Sequence, residues 1–209
     1  MYARKGGRRM PPGRQSGDVL LRMLSEREPD LHAHLRGTAE LALSAGRELG
    51  MEPEALDEVA RAAELHDLGK IASPDEILNG TGPLDESEWA FMRRHTIIGE
   101  RILLAAPALR PVARLVRASH ERYDGSGYPH GLVGEQIPLG ARVVAVCDAF
   151  DAMLSDRPYR EQLDETEALD QLIRCSGRQF DPAVVEAFAR VIERDRAEAA
   201  QSAPYPRTG

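Results

Sequence analysis

The chain has 209 residues, enough for one domain with a sizeable core, and carries a formal net charge of −7. Hydrophobic residues make up 42%, charged residues 29% and aromatic residues 5%, a globular composition that favours helices over strands. The negative charge argues against binding of a nucleic-acid polymer, which depends on clustered lysines and arginines. No stretch is apolar enough for a membrane span or a signal peptide, so a cytoplasmic protein that binds no membrane is expected.

The two ends of the chain differ in composition from its middle. Residues 1–16 are rich in Gly, Pro and Arg, and residues 201–209 contain two prolines and little to bury. Both predict flexible tails around one domain over residues 17–200. Cys147 and Cys175 lie far apart without a CxxC spacing, which predicts reduced thiols and no disulfide framework.

Apolar residues at helical spacing begin soon after the N-terminal tail. They predict two helices between Val19 and Ala45 and a third helix from Pro53 to Leu68. A capping box that starts at Ser73 predicts a short helix after them. Asp85 is predicted to cap one long helix, in which apolar residues recur as far as Leu103.

The second half of the chain is predicted to contain one long structured loop. Residues 123–140 hold five glycines and two prolines, which excludes a regular helix there. Further helices are predicted from Pro111, over Ala141–Leu154, over Glu167–Cys175 and over Asp181–Arg196. The predicted fold is all-α, with about eight or nine helices and no convincing strand pair.

Six side chains that can bind a metal ion lie on these helices or at their ends: His34, His66, Asp67, His95, His120 and Asp148. Imidazole and carboxylate together suit Fe, Mn or Zn. A carboxylate can also bridge two ions about 3.5–4 Å apart, an arrangement that stabilises both the attacking and the leaving oxygen in phosphoester hydrolysis. Such a set is what a metallophosphodiesterase needs.

Each histidine taken singly is also explained as a surface residue or as a satisfied core residue. The adjacent pair His66-Asp67 is different, because it directly follows an apolar helix and is followed by Lys70. Polar groups beside a buried face are costly unless something compensates them. A metal ion would provide that compensation.

Three linked motifs connect these residues to a known family. The chain reads HDLGK at 66–70, HERYDGSGYP at 120–129 and DAFDAMLSDRPYR at 148–160. Their order and spacing resemble the HD-GYP group of the HD superfamily of metal-dependent phosphohydrolases, whose members cleave cyclic di-GMP. The similarity runs from about Asp30 to Ala189. It implies a single HD-type multi-helix bundle with a Gly/Pro-rich GYP loop, and two divalent metal ions, Fe or Mn, with a single ion as the alternative.

The resemblance also assigns roles to individual residues. It makes all six metal-binding candidates ligands, with Asp67 as the bridge between the ions and as a catalytic residue together with Lys70. It makes Lys70, Arg157 and Arg160 phosphate-binding residues, which suits the charge-assisted donors that a phosphodiester requires. Plain surface charge is the alternative for all three residues.

The GYP loop, formed by Gly127, Tyr128 and Pro129, is expected to bind substrate. Tyr128 either stacks on the face of a guanine base or has a purely structural role in filling space. Asp30 matches a position that carries an additional metal ligand in some members, and a surface aspartate is an equal alternative.

Two acidic residues beside this loop need separate interpretation. Asp124 precedes Gly125, and Asp-Gly is a common turn pair, so Asp124 is interpreted as structural. Glu121 is left open between a carboxylate that orients a ligand histidine and a solvent-facing residue.

The chain departs from the family pattern at two places. Ser119 precedes His120 where the family has two adjacent histidines. A serine hydroxyl is a poor replacement for imidazole, so the ion held by His95 and His120 is expected to bind more weakly. The sequence Asn-Gly-Thr-Gly at 79–82 replaces the usual Lys-Pro-Gly and removes a positive charge near the cleft.

The function predicted from these features is hydrolysis of cyclic di-GMP to pGpG, with GMP as a further product, by metal-activated water. A second interpretation is a degenerate cyclic-dinucleotide receptor or interaction module with little turnover, which Ser119 favours. A third is an HD phosphohydrolase that acts on another nucleotide or phosphate ester. A protein partner at the GYP loop and a homodimer are left open.

Overall fold

A computed structural model of the chain describes residues 12–27, 31–78, 80, 82–155 and 162–202. In these residues the regular structure is helical, with two isolated bridges as the only extended pairs, and the predicted all-α fold is confirmed. The α-helices are α1 (Pro12–Arg27), α2 (Leu31–Glu48), α3 (Pro53–Leu65), α4 (Asp75–Leu78), α5 (Glu86–Met92), α6 (His95–Leu104), α7 (Arg110–Ala118), α8 (Leu139–Leu154), α9 (Glu165–Arg174) and α10 (Pro182–Ser202).

Helix α3 lies at the centre of the bundle and packs against α2, α7 and α8. Ala62 and Ala63 are fully buried on it, and such small side chains let neighbouring helices approach closely. Farther along the core, Phe150 of α8 meets Phe188 of α10 edge to face, with 4.9 Å between ring centroids. Burying each such ring contributes about 1.5–3 kcal/mol. The central packing therefore fixes the ends of α2, α3, α7 and α8 relative to one another.

The prediction of one long helix after Asp85 is wrong, because two shorter helices, α5 and α6, replace it. Asp85 does cap α5, since its carboxylate accepts hydrogen bonds from the backbone N–H groups of Ser87 and Glu88. The helix then ends at Met92 and α6 begins at His95. At this break His95 Nδ1 lies 2.7 Å from the carbonyl oxygen of Met92. The side chain thus hydrogen-bonds the backbone at a point where the apolar pattern continues and gives no sign of an interruption.

Helix α3 also differs from its prediction, since it ends three residues earlier, at Leu65. A short 3-10 helix, Leu68–Ala72, follows and lies against α6. Gly69 permits this contact, because a Cβ atom there would overlap the carbonyl oxygen of His95 and the amide nitrogen of Gly99. The glycine of HDLGK therefore lets two backbone segments touch.

Helix boundaries near the ends of the domain also shift from their predicted positions. Helix α1 begins at Pro12, inside the segment predicted as a tail, where proline suits a first helical turn. Helix α9 begins two residues earlier than predicted because Asp164 and Glu167 form a capping box.

Two negative features of the described residues complete the fold. None of their helices combines the length and the apolar character needed to cross a membrane. Cys147 and Cys175 are both free, in agreement with the prediction of reduced thiols.

Candidate metal centre

The fold brings the six predicted metal-binding residues together. They come from five places in the bundle: α2, the end of α3, the start of α6, the end of α7, and α8. Possible ligand atoms lie within 4.8 Å of one another in two groups, one of His34, His66 and Asp148 and one of His66, Asp67 and His120. His66 belongs to both groups, and His95 faces Asp67, so the six residues form one continuous cluster, called here the metal cluster.

Asp67 has the geometry of a bridging carboxylate. Its Oδ2 atom lies 3.6 Å from His66 Nε2, and its Oδ1 atom lies 3.6 Å from His95 Nε2. His66 Nε2 also lies 3.4 Å from Asp148 Oδ1. His34 Nε2 lies 3.2 Å from that oxygen. Each oxygen of Asp67 therefore faces a different part of the cluster.

Backbone carbonyl groups hold two of the histidine rings in one orientation. His66 Nδ1 lies 2.8 Å from the carbonyl oxygen of Ala63, and His95 Nδ1 lies 2.7 Å from that of Met92. A carbonyl oxygen only accepts hydrogen bonds, so each ring donates from Nδ1. In the neutral form of each ring Nε2 then carries the lone pair, and it faces the metal cluster in both residues, as a metal ligand requires.

Three buried polar atoms of the cluster have no hydrogen-bond partner in the described part of the chain. They are Asp67 Oδ1, His95 Nε2 and His120 Nε2. Leaving a buried polar atom unpaired costs about 1–3 kcal/mol. A carboxylate oxygen and two imidazole nitrogens are all ligands that first-row divalent ions accept. The residues present therefore fit metal ions.

The charges of the first group of ligands follow from their partners. Burial lowers the pKa of His34, but hydrogen bonds to Asp148 and Asp151 outweigh it and raise the pKa to about 9. Burial also lowers the pKa of His66, and the charges of Asp67 and Asp148 raise it to about 8. Without a metal ion both rings are protonated at neutral pH, so metal binding there would release protons.

The pKa values of His95, His120 and Asp67 shift in other directions. Burial lowers the pKa of His95, and burial together with the charge of His95 lowers the pKa of His120 to about 3. Burial raises the pKa of Asp67, but the charges of Lys70, His66 and His95 outweigh it and hold the pKa below its usual range. This half of the cluster thus offers neutral imidazoles beside a charged carboxylate.

Asp151 belongs to the site and was missed in the sequence. Its carboxylate accepts a hydrogen bond from His34 Nδ1, so that His34 Nε2 faces Asp148. Asp148 and Asp151 are three residues apart on α8 and therefore lie on the same face. This spacing was the available signal, but it identifies a partner for His34 only once α2 is known to pack on α8.

A cavity of about 230 Å³ adjoins the metal cluster, and its lining includes Arg93, Ser119, His120, Gly127, Tyr128 and Asp148. Tyr128 stacks on His120, with 5.3 Å between centroids and 12° between planes. At Gly127 a Cβ atom would overlap the backbone of Glu121 and Arg122, so the loop requires glycine there. Pro129 follows in a cis peptide and does not line the cavity.

The two acidic residues of this loop have structural contacts. Glu121 is buried, and its carboxylate accepts hydrogen bonds from the backbone N–H groups of His130 and Leu132, at 2.7 and 3.1 Å. It therefore anchors the loop, a role that neither of its two alternatives anticipated. Asp124 accepts hydrogen bonds from the backbone N–H and the hydroxyl of Ser126, which agrees with its interpretation as a turn residue.

Of five further residues named in the sequence analysis, the structure describes Lys70 and Ser119. Lys70 Nζ lies 2.6 Å from Asp67 Oδ2, which places its charge beside the metal cluster. Ser119 is buried, and its hydroxyl donates to the carbonyl oxygen of Val116, 2.9 Å away on its own helix. The predicted sites at residues 30, 157 and 160 lie outside the described residues.

Comparison with known proteins agrees with this architecture. The family model for the HD domain matches residues 18–184. A cyclic di-GMP phosphodiesterase of Thermotoga maritima is 42% identical over 175 residues, which are 82% of this chain and 48% of that protein. The cyclic di-GMP phosphodiesterase response regulator RpfG of Xanthomonas campestris pv. campestris is 43% identical over 179 residues, 85% of this chain and 47% of that protein.

The chain thus spans about half the length of these curated relatives. Among solved structures, a cyclic GMP-AMP specific phosphodiesterase of V. cholerae superimposes with a TM-score of 0.67 at 19% identity, covering 90% of this chain and 50% of that one. This likeness supports the fold. The predicted resemblance is confirmed, and the chain belongs to the HD domain family.

Proposed function

We propose that the chain is a metal-dependent phosphodiesterase that hydrolyses cyclic di-GMP to linear pGpG, with GMP as a further product. The observation that carries the proposal is the buried metal cluster, in which Asp67 turns one oxygen towards His66 and the other towards His95. The names of the two curated relatives support the choice of substrate.

In this proposal two divalent ions, Fe or Mn, are held by His34, His66, Asp67, His95, His120 and Asp148. When bound, such ions supply a water of lowered pKa and neutralise the charge that develops on the phosphoryl oxygens. Asp67, whose two carboxylate oxygens face His66 and His95, would be the ligand shared by the ions. Asp151 keeps the His34 ring oriented through its hydrogen bond to Nδ1.

The remaining residues act on the substrate. Lys70 fixes the Asp67 carboxylate and presents positive charge to the reacting phosphate from the same position. Gly127 and Tyr128 line the cavity, where an aromatic ring can stack on a guanine base. Pro129 completes the GYP loop, and Arg157 and Arg160 contribute phosphate donors. Because water is the nucleophile, no covalent enzyme intermediate is required.

A second candidate function is a cyclic-dinucleotide receptor with little turnover. Ser119 favours it, because its hydroxyl is directed to Val116 and supplies no nitrogen ligand beside His120. In a receptor the first group, His34, His66 and Asp148, would hold a single ion. The cavity would then bind the nucleotide without cleaving it.

Substitution of Asp67 tests the proposed function. Asp67→Ala removes the bridging charge, so we expect it to abolish cyclic di-GMP hydrolysis and to remove most of the bound metal. The measurements are metal analysis of protein purified without chelator and product assays in Mn²⁺ and in anaerobic Fe²⁺. Asp170→Ala is the matched control, because Asp170 is exposed on α9, and it should keep both properties.

The wild type distinguishes the two functions in the same assays. About two ions with turnover supports the enzyme, whereas one ion with nucleotide binding and no product supports the receptor. Full metal content in the Asp67→Ala variant would contradict the proposed ligand set.

A further inference from the structure

Arg93 lies in the break between α5 and α6, and it lines the cavity beside the metal cluster. Its side chain is exposed. The guanidinium carbon lies 5.7 Å from the ring centroid of Tyr128 and 5.9 Å from that of Trp89. Two aromatic rings therefore contact one cation at the cavity. Such contacts hold a guanidinium in place while its N–H groups stay available.

The hydrogen-bonding capacity of Arg93 is unused within the described residues. Its guanidinium forms no hydrogen bond and no ion pair there, although it carries five N–H donors. The other arginine of the cavity, Arg122, is engaged, since its Nε donates to Ser126 Oγ at 2.8 Å and lies 3.7 Å from Asp124. Among the described residues, Arg93 is thus the arginine of the cavity whose planar guanidinium group can bind an anion.

The substrate chemistry supplies a suitable anion. A cyclic dinucleotide carries two phosphodiesters, and only the one being cleaved can lie at the metal cluster. The other remains a charged group that must be held elsewhere, away from the carboxylates of Asp67 and Asp148. Arginine suits this role because its fork makes two parallel hydrogen bonds to a phosphate.

We propose that Arg93 binds the phosphodiester of the substrate that is not cleaved, and that Trp89 and Tyr128 hold its guanidinium for this purpose. The inference rests on the proposed function, because it requires a cyclic dinucleotide in the cavity. It assigns Arg93 to binding of the substrate and leaves the metal cluster unchanged.

Substitution of Arg93 tests the inference, with the adjacent arginine as the control. Arg94 is also exposed and contacts an aromatic ring, Phe91 at 5.5 Å, but it does not line the cavity. For Arg93→Ala we expect KM for cyclic di-GMP to rise about tenfold, equivalent to about 1.4 kcal/mol. Arg94→Ala should match the wild type. Arg93→Lys should fall between them, because it keeps the charge and loses the fork.

Two further measurements separate binding from catalysis. The Kd of a non-hydrolysable phosphorothioate analogue of cyclic di-GMP, measured by calorimetry, should rise in Arg93→Ala as KM does, while kcat and metal content stay within about twofold. Bis(p-nitrophenyl) phosphate has a single phosphodiester, so its KM should not change in this variant.

Different results would overturn the inference in distinguishable ways. Equal Kd values for Arg93→Ala and Arg94→Ala would overturn the role of Arg93 while leaving the proposed function intact. An equal rise in KM for bis(p-nitrophenyl) phosphate would move Arg93 to the cleaved phosphate and overturn the assignment. A wild type that hydrolyses bis(p-nitrophenyl) phosphate but does not bind cyclic di-GMP or its analogue would overturn the proposed substrate and the inference with it.

Discussion

Ser119 creates an imbalance between the two groups of metal ligands. In the group of His34, His66 and Asp148 each predicted residue is present, and His34 is further oriented by Asp151. The group of His66, Asp67 and His120 has no nitrogen ligand from position 119, where the serine hydroxyl donates to its own helix. If Asp67 is shared, one ion has four protein ligands, from His34, His66, Asp67 and Asp148. The other has three, from Asp67, His95 and His120, and we expect it to be the first to dissociate.

Restoring histidine at position 119 should correct this imbalance. Ser119 lines the cavity beside His120, so an imidazole there has space on the cavity side. We expect Ser119→His to raise metal occupancy and kcat when the metal is limiting. The advantage should shrink in saturating Mn²⁺, because mass action then fills the site in both proteins. Metal analysis and hydrolysis assays over a range of Mn²⁺ concentrations measure both effects.

Alanine at the same position provides the control. Because the serine hydroxyl bonds Val116, Ser119→Ala should keep the metal content of the wild type. Loss of metal in that variant would instead make the hydroxyl, or a water it positions, a ligand. A histidine variant that binds more metal and still forms no pGpG would favour the receptor.

At the residue scale, the sequence predicted the members of the metal cluster better than it predicted their partners. Three short motifs carry four members of the cluster, His66, Asp67, His120 and Asp148, and the other two, His34 and His95, were predicted from the resemblance alone. Asp151 was not predictable, because its contact with His34 joins residues 117 positions apart and depends on how α2 packs on α8. Glu121 was not predictable either, because its partners are backbone N–H groups exposed only by the conformation of the loop.

At the scale of elements, the metal cluster depends on a close contact between two backbones. The 3-10 helix Leu68–Ala72 lies on α6, where Gly69 leaves no room for a Cβ atom against His95 and Gly99. This contact sets the distance between Asp67, just before the 3-10 helix, and His95, at the start of α6. The two residues belong to different elements, so only this packing holds their side chains at 3.6 Å.

Gly69→Ala should therefore separate Asp67 from His95. We expect a loss of about 1–3 kcal/mol in the free energy of unfolding, as overpacking usually costs, together with reduced metal content. Urea denaturation and metal analysis measure the two effects. Gly82→Ala is the control, since a Cβ atom there meets no other atom within 4 Å. If alanine at position 69 left both quantities unchanged, the contact would not control the cluster.

Helices were predictable where local sequence determines them. The cap at Asp85 and the apolar faces of α3 and α8 follow from short-range patterns. The break before His95 does not, because it accompanies a hydrogen bond between an imidazole and the backbone of Met92. That break also leaves Arg93 outside a regular helix and beside the cavity. The helix boundary that the apolar pattern did not predict thus lies at the candidate metal centre.

For the whole molecule, the metal cluster lies where α2, α3, α6, α7 and α8 meet, so metal binding and folding are coupled. Buried Asp67 Oδ1, His95 Nε2 and His120 Nε2 have no partner among the described residues, and a bound ion would compensate them.

Ions that bind only the folded chain stabilise it by about 2.7 kcal/mol each at one hundred times Kd, and each kcal/mol raises Tm by about 2–4 °C at this size. We therefore expect removal of both ions by chelation to lower Tm by about 10–20 °C, measured by calorimetry with and without Mn²⁺. The Asp67→Ala variant should show little of this difference, because it lacks the bridging ligand. Equal Tm values for metal-loaded and metal-free wild type would mean that the cluster tolerates its unpaired atoms without an ion, and the proposed ligand set would have to be abandoned.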